Sequence, residues 1–186
     1  MKVTKQDIAS LLSGFSIEVT PASAQNIDSF ANHLPLNTSI NVTFLPGSNI
    51  DDTVNVSYRL HQEGFKPVPH LAARNFVNQK SLEQCLEQLT TIANVEEVLV
   101  IGGGLNAALG PYHSTLQILD SGLLEKYSIK KVGVAGHPEG SPDIPDLELA
   151  QALQDKNSWA RNSDVKVYIA TQFCFDASKI IDWENR

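Results

Sequence analysis

Val98-Leu-Val-Ile-Gly-Gly-Gly104 is a short apolar run that stops at three consecutive glycines. Like the last such run in the chain, Val167-Tyr-Ile-Ala-Thr-Gln172, it is typical of a strand buried on both faces of a parallel sheet. Four further apolar runs occur at intervals of about one strand and one helix, and each ends on a polar residue. They cover residues 15–18, 39–43, 66–70 and 132–137. The spacing predicts six repeated βα units.

Amphipathic segments separate these runs, as a chain of βα units requires. In segment 81–93 the apolar residues recur at i, i+3, i+4 and i+7, which predicts a helix, and Ser81 with Gln84 forms a capping-box pattern at its start. The other predicted helical segments are 22–33, 51–63, 113–126 and 145–156, with a last helix beginning at residue 177. This alternation predicts a parallel sheet with right-handed crossovers.

The predicted fold class is α/β, in one domain that covers residues 1–186. A chain of 186 residues with 42% hydrophobic and 19% charged residues is ordinary for a single globular domain. Six units leave two architectures open. One is an open doubly wound sheet, and the other is a (β/α)8 TIM-barrel-like sheet whose last two units are missing from this chain.

Charge and composition argue against several classes of partner. The net charge is −7 and Lys and Arg form no stripe, so nucleic acid is not expected as a ligand. No run approaches 18 apolar residues, so no membrane partner is expected. Two cysteines and a start without a secretory leader are typical of reduced thiols in a cytoplasmic protein. The five histidines lack the spacing of a metal site, and no metal is expected.

The carboxyl ends of parallel strands meet at one edge of a sheet, and ligands bind there. The residues at the six predicted ends are Glu18, Thr43, His70, Gly102 to Gly104, His137 and Gln172. Glu18 suits a general acid if desolvation raises its pKa, and a solvated strand-end glutamate is the alternative. His70 suits a cofactor contact or acid–base work, and a core histidine with one backbone bond is the alternative.

Two loops after these strands carry further candidate groups. Gly102-Gly-Gly-Leu-Asn-Ala107 formally matches a dinucleotide-binding pattern, but it follows the fourth strand, so a glycine turn beside a ligand is the preferred interpretation. Ala135-Gly-His-Pro-Glu-Gly-Ser-Pro142 places His137 and Glu139 on a turn that two prolines and two glycines shape. These ionisable groups either belong to a site or are merely solvated.

The sixth run ends in Thr171-Gln-Phe-Cys-Phe-Asp176. The amide of Gln172 both donates and accepts hydrogen bonds, which suits it to recognise the edge of a heterocycle. Phe173 and Phe175 either stack on a bound ring or pack in the core, and core packing is the usual arrangement for aromatic residues in such a run.

Taken in order, five of these motifs resemble the methylenetetrahydrofolate reductase family. The matching stretches are Phe15-Ser-Ile-Glu-Val-Thr-Pro21, Asn41-Val-Thr-Phe44, Val68-Pro-His-Leu71, Val134-Ala-Gly-His-Pro-Glu-Gly-Ser-Pro142 and Thr171-Gln-Phe-Cys-Phe-Asp176. The counterparts in the family read Ser-Phe-Glu-Phe-Phe-Pro-Pro, Ser-Val-Thr-Tyr, Ala-Pro-His-Leu, Val-Ala-Gly-Tyr-Pro-Glu-Gly-His-Pro and Thr-Gln-Phe-Phe-Phe-Asp. The matches cover nearly the whole chain.

The resemblance implies a (β/α)8 barrel with FAD at its carboxyl-end mouth, in a flavoprotein oxidoreductase of one-carbon metabolism. It implies NAD(P)H as the reductant and the reduction of 5,10-methylenetetrahydrofolate to 5-methyltetrahydrofolate. Glu18 falls on the family's proton donor, which protonates a folate nitrogen and so opens the five-membered ring. Gln172 falls on a position that binds the folate or the nicotinamide.

The same resemblance implies a set of cofactor contacts. Thr43 and His70 fall on flavin-contacting positions, His137 replaces a flavin-contacting tyrosine, and Lys156 matches a lysine near the FAD phosphates. The fourth strand also ends against the cofactor in this family. The residues at that end in this chain are Gly102, Gly103 and Gly104.

The chain departs from the family at this fourth strand, where Leu-Arg-Gly-Asp is usual and Ile101-Gly-Gly-Gly104 stands instead. The family's aspartate tunes the flavin and stabilises a cationic folate intermediate, so its loss predicts a slower reaction. Ser141 also stands where a histidine is usual. Two other functions therefore stay open: flavin-free, folate-dependent one-carbon (methyl) transfer, and a non-catalytic folate- or nucleotide-binding module.

An open sheet edge predicts a homo-oligomer, or further natural sequence after Arg186.

Overall fold

The computed structural model describes residues 3–45 and 47–185 and contains six parallel strands. The strands are β1 (Ser16–Val19), β2 (Ser39–Val42), β3 (Lys66–Ala72), β4 (Glu97–Ile101), β5 (Lys131–Gly136) and β6 (Lys166–Thr171). Each lies on one of the six apolar runs of the sequence, so the predicted strands are confirmed.

The order of the strands in the sheet is their order in the chain, β1 to β6, and every neighbouring pair is parallel. A doubly wound sheet reverses its direction at a switch point, and this order contains no reversal. The sheet instead curls into a half-barrel. The observed architecture is therefore an α/β half-barrel, and the doubly wound alternative is excluded.

Eight α-helices connect or flank the strands in the described part of the chain. They are α1 (Lys5–Leu11), α2 (Pro21–Ala24), α3 (Ile50–Gln62), α4 (Gln79–Thr91), α5 (Thr115–Leu119), α6 (Leu123–Lys126), α7 (Asp146–Asn162) and α8 (Ala177–Glu184). Short 3-10 turns cover Phe30–Asn32 and Ala73–Asn75. None of the helices in the described ranges is both long and apolar enough to span a bilayer.

Several helix boundaries differ from those the sequence predicts. Helix α4 is capped by the side chain of Asn78, and Ser81 is the third helical residue rather than the cap. Segment 113–126 forms α5 and α6 instead of one helix, because the chain turns at Gly122 with φ of +68°. Segment 22–33 likewise holds only the short α2 and a 3-10 turn. Helix α1 was not predicted, and none of its residues is buried.

Alternate residues of the central strands face the helices and build the core. Val98 and Val100 of β4, with Val132 and Val134 of β5, belong to the larger buried cluster. The residues between them point to the opposite, concave side of the curled sheet. We call this side the inner face. Four inner-face residues are register partners on neighbouring strands and so lie side by side at one level of the sheet: His70, Leu99, Gly133 and Tyr168.

Strand β6 does not have the burial that its apolar sequence predicts. None of its six residues is buried, and Ile169 is 44% exposed. The reason is its position: β6 lies at the edge of the sheet, paired only with β5 in the described residues. The prediction of burial on both faces is therefore wrong for β6, whereas the interior residues of β4 are buried.

Candidate active site

The carboxyl ends of β1 and β3 bring a carboxylate and an imidazole together on the inner face. Oε2 of Glu18 lies 3.6 Å from Nε2 of His70. The His70 side chain is 7% exposed and that of Glu18 is 59% exposed. A separation of 3.6 Å is longer than a hydrogen bond, and Nε2 of His70 is buried without a partner. The two groups are adjacent but not bonded.

The buried imidazole of His70 is uncharged at neutral pH. Desolvation by burial lowers its pKa from 6.5 to about 4. The contact with Glu18 is therefore not an ion pair at neutral pH. The sequence offers two interpretations, a site residue and a core histidine with one backbone bond; His70 is buried, as a core histidine is, and its Nε2 has no hydrogen-bond partner among the described residues.

Thr43 joins the ends of β1 and β2. Its hydroxyl donates to the carbonyl oxygen of Val19 at 3.0 Å, and its backbone N–H donates to the same oxygen at 2.9 Å. The hydroxyl proton is therefore already used inside the protein. The Thr43 oxygen can still accept a hydrogen bond, so a ligand at this position would need a donor group.

The glycines after β4 form a turn without any acid. Gly103 has φ of +92°, and a Cβ there would lie 3.1 Å from Cβ of Ala72 and 3.2 Å from Oδ1 of Asn75. Gly104 is exposed, and its φ is outside the left-handed region. The turn packs its backbone closely on the end of β3, as the sequence interpretation of a glycine turn predicts. No carboxylate from residues 101–104 reaches the site.

Arg74 holds the long loop that follows β4, and the sequence analysis missed it. Its backbone N–H donates to the carbonyl of Gly102 at 3.0 Å. Its guanidinium donates to the carbonyl oxygens of Leu105 at 2.9 Å and His113 at 3.0 Å. Its carbonyl accepts the N–H of Leu109 at 2.9 Å. The one sequence signal for this residue is an arginine directly after the apolar end of β3.

The end of β5 carries a histidine and a lysine from different elements. Nζ of Lys156, on α7, donates to the carbonyl oxygen of Ala135 at 3.1 Å, and burial lowers the pKa of this ammonium group. Burial and the nearby charge of Lys156 lower the pKa of His137. The two side chains are thus electrostatic neighbours, and an anion bound beside them would offset the repulsion between their positive forms.

The loops after β5 and β6 are tied together by Glu139. Its Oε1 accepts the backbone N–H groups of Phe175 at 2.9 Å and Asp176 at 2.7 Å. The backbone N–H of Gln172 donates to the carbonyl of Gly136 at 2.9 Å, which places Gln172 beside the end of β5. Glu139, predicted either as a site group or as a solvated charge, is a structural link.

Phe173 and Phe175 do not pack in the core. They are 80% and 85% exposed, and their rings meet edge to face with centroids 4.8 Å apart. From the sequence, core packing is the expected arrangement for both rings, and this expectation is wrong. Both rings stand at the edge of the sheet that β6 leaves open.

Three polar side chains of β4, β5 and β6 contact one another on the inner face. The Tyr168 ring lies across Gly133, where a Cβ would come within 2.6 Å of its Cζ. Nζ of Lys131 lies 4.3 Å from the ring centroid and 3.1 Å from Oε1 of Glu97. Burial and the carboxylate of Glu97 raise the pKa of Tyr168. Tyr168 shares the register level of His70, and Lys131 and Glu97 lie two residues closer to the amino-terminal ends of their strands.

The predicted site residues fall into two groups with the glycine turn between them. Glu18, Thr43 and His70 lie together on β1 to β3, and His137, Lys156 and Gln172 lie together around the ends of β5 and β6. The curl of the sheet turns both groups toward its concave side. No protein-family model matches the sequence.

Proposed function

We propose that this half-barrel is a methylenetetrahydrofolate reductase-like flavoprotein, which reduces 5,10-methylenetetrahydrofolate to 5-methyltetrahydrofolate with NAD(P)H. We also infer that its sheet corresponds to the first six units of a (β/α)8 barrel. The observation that carries the proposal is the exposed carboxyl of Glu18 beside the orphaned Nε2 of His70, at the carboxyl ends of two strands. The five serial motif resemblances point to the same reaction.

The polar groups of the site fit a flavin. The isoalloxazine ring has both donor and acceptor edges, and the Thr43 hydroxyl oxygen offers an acceptor to a donor edge. Lys156 has two ammonium protons left after its bond to Ala135, and these suit the phosphates of FAD. His137 stands beside it. A bound flavin would supply the hydride that the reaction requires.

Glu18 would act as the general acid. A folate seated over the inner face would cover its carboxyl group and exclude water from it, which favours the uncharged, protonated form. The proton would pass to a nitrogen of the five-membered folate ring, the carbon–nitrogen bond would break, and the resulting iminium carbon would accept the hydride. The amide of Gln172 would orient the pterin edge.

Replacing Glu18 by Gln tests the proposal. The amide keeps the shape of the side chain and cannot supply the proton, so we expect folate reduction to slow by about 10²- to 10⁴-fold while flavin binding is retained. Glu87, exposed on α4 and remote from the strand ends, gives the matched control Glu87→Gln. Equal turnover in wild type and Glu18→Gln would contradict the assignment of Glu18.

The acid-free end of β4 favours one further candidate. Without a carboxylate at Gly102 to Gly104, a flavin would lack the group that stabilises a cationic folate intermediate. A flavin-free protein that binds folate for methyl transfer, or binds it without catalysis, is therefore the second proposal. Purified protein that takes up folate and no added FAD would favour it over the reductase.

A further inference from the structure

The nitrogen Nε2 of His70 is an unusual atom in this protein. Three buried side-chain polar atoms in the described ranges have no hydrogen-bond partner, and they are Thr53 Oγ1, Ser57 Oγ and His70 Nε2. The two hydroxyls belong to helix α3, whereas His70 stands at the ligand-facing edge of the sheet. Buried polar groups without partners are rare in folded proteins, and each one needs a physical explanation.

The nearest charged group to this nitrogen is the carboxyl of Glu18, at 3.6 Å. Among the described residues it is the one carboxylate within 4.0 Å of the imidazole. The Glu18 side chain is largely exposed and free to turn, while His70 is fixed by burial. A movement of the carboxyl by less than 1 Å would bring it to hydrogen-bond distance from the imidazole.

We propose that His70 is a positioning residue for Glu18: its Nε2–H donates to the Glu18 carboxyl when a ligand covers the site. This inference rests on the proposed function, in which Glu18 is the acid. When Glu18 transfers its proton to the ligand nitrogen, it becomes a carboxylate, and the Nε2–H bond stabilises that new charge. His70 keeps its own proton throughout, so the proton taken by the ligand comes from Glu18 alone.

The uncharged state of His70 is necessary for this role. A charged imidazolium at 3.6 Å would stabilise the carboxylate before the reaction and so weaken the hold of Glu18 on its proton at rest. A neutral N–H donor exerts a smaller pull, which grows as negative charge develops on the carboxyl. Burial of His70 therefore provides a directed bond without a resident positive charge.

A double-mutant cycle tests whether His70 acts through Glu18. With flavin and folate saturating, we expect His70→Leu to lower kcat about tenfold and His70→Gln, whose amide nitrogen reaches the position of Nε2, to restore most of it. In the Glu18→Gln background, His70→Leu should change kcat less than about twofold. Equal losses in both backgrounds would show that His70 acts independently of Glu18 and would overturn the inference.

A second measurement needs no turnover. In protein with ¹³C-labelled glutamate, saturated with the product 5-methyltetrahydrofolate so that the site is covered, the Glu18 carboxyl resonance is assigned by its loss in Glu18→Gln and followed against pH. We expect His70→Leu to raise the Glu18 midpoint by about 0.5 pH unit, and His70→Gln to leave it near the wild-type value. An unchanged midpoint in His70→Leu would overturn the inference. A shifted midpoint in a protein without turnover would instead refute only the proposed function.

Discussion

Nε2 of His70 and Oε2 of Glu18 lie 3.6 Å apart although their strands, β3 and β1, are separated by β2. Strands two positions apart in a flat sheet run about 10 Å from each other. The side chains meet because the sheet curls and both residues point to its concave side. This relationship places two of the predicted site residues side by side on the inner face.

The buried His70 should make stability depend on pH in a defined window. Its pKa is about 4 in the folded protein and 6.5 in the unfolded chain. Between these values the unfolded chain binds a proton that the folded protein does not, so stability should fall as pH drops from 6.5 to 4. The full effect is about 3 kcal/mol.

Urea denaturation of wild type and His70→Gln at pH 7 and pH 4.5 measures this effect. Glutamine does not titrate, so the variant should lose less stability than wild type over this interval. The same loss in both proteins would show that His70 is not the group responsible.

The turn after β4 contains no acidic residue, and it should tolerate an aspartate at Gly104 but not at Gly103. Gly104 is exposed with an ordinary φ, so we expect Gly104→Asp to fold and to accelerate folate reduction about tenfold or more. Gly103→Asp is the contrast, because φ of +92° and the contacts with Ala72 and Asn75 oppose any side chain. The measurement is the single-turnover rate of folate reduction. An unchanged rate in Gly104→Asp would argue against a cationic folate intermediate beside β4.

The loop held by Arg74 should be sensitive at Gly110. A Cβ on Gly110 would collide with the backbone of Val77 and would lie 2.5 Å from the carbonyl oxygen of Phe76. We expect Gly110→Ala to destabilise the protein by about 1–3 kcal/mol in urea denaturation. Gly102→Ala is the matched control, because no atom lies within 4 Å of its Cβ position. Equal stability of the two variants would contradict this packing.

Lys156 should recognise phosphate rather than the flavin ring. We expect Lys156→Met to weaken FAD binding about tenfold and to leave riboflavin, which has no phosphate, nearly unaffected. Lys166→Met, which removes an exposed lysine of β6, serves as the control. Fluorescence titration of both flavins measures the difference. A parallel loss of FAD and riboflavin would place Lys156 at the ring instead.

The open edge at β6 should promote association. Apolar side chains cluster there with large exposed fractions, namely Ile169 at 44%, Phe173 at 80%, Phe175 at 85% and Ile181 at 57%. We expect sedimentation equilibrium to show species heavier than the 20.3 kDa chain, and Phe173→Ser with Phe175→Ser to shift them toward monomer. A wild-type protein that stays monomeric at every concentration would refute the expected homo-oligomer.

The strands could be predicted from the sequence because each apolar run is short and bounded by polar or glycine residues. The connection after β1 could not be predicted, since it depends on a distant side chain. Arg59, on α3, donates to the carbonyls of Ala24, Ile27 and Asp28, which fixes this segment as turns instead of one helix. The helix propensity of a segment depends on its own residues and does not reflect such a long-range contact.

Only part of the site could be predicted, because strand ends can be located in the sequence whereas the contacts between them cannot. Strand ends identified Glu18 and His70 as candidates, but their contact depends on the curl of the sheet across β2. The role of Arg74 depends on carbonyl groups of a loop that begins about 30 residues later. Backbone acceptors have no signature in the sequence, so a residue that binds them is found only in the structure.

The most direct test of the proposed reductase follows the flavin absorption band under anaerobic conditions. Protein loaded with FAD is reduced by NAD(P)H and then mixed with 5,10-methylenetetrahydrofolate. The proposal predicts that the band disappears with the reductant and returns with the folate in wild type, and that the return is lost in Glu18→Gln. A protein that binds no FAD, or a band that does not return when the folate is added, would contradict it.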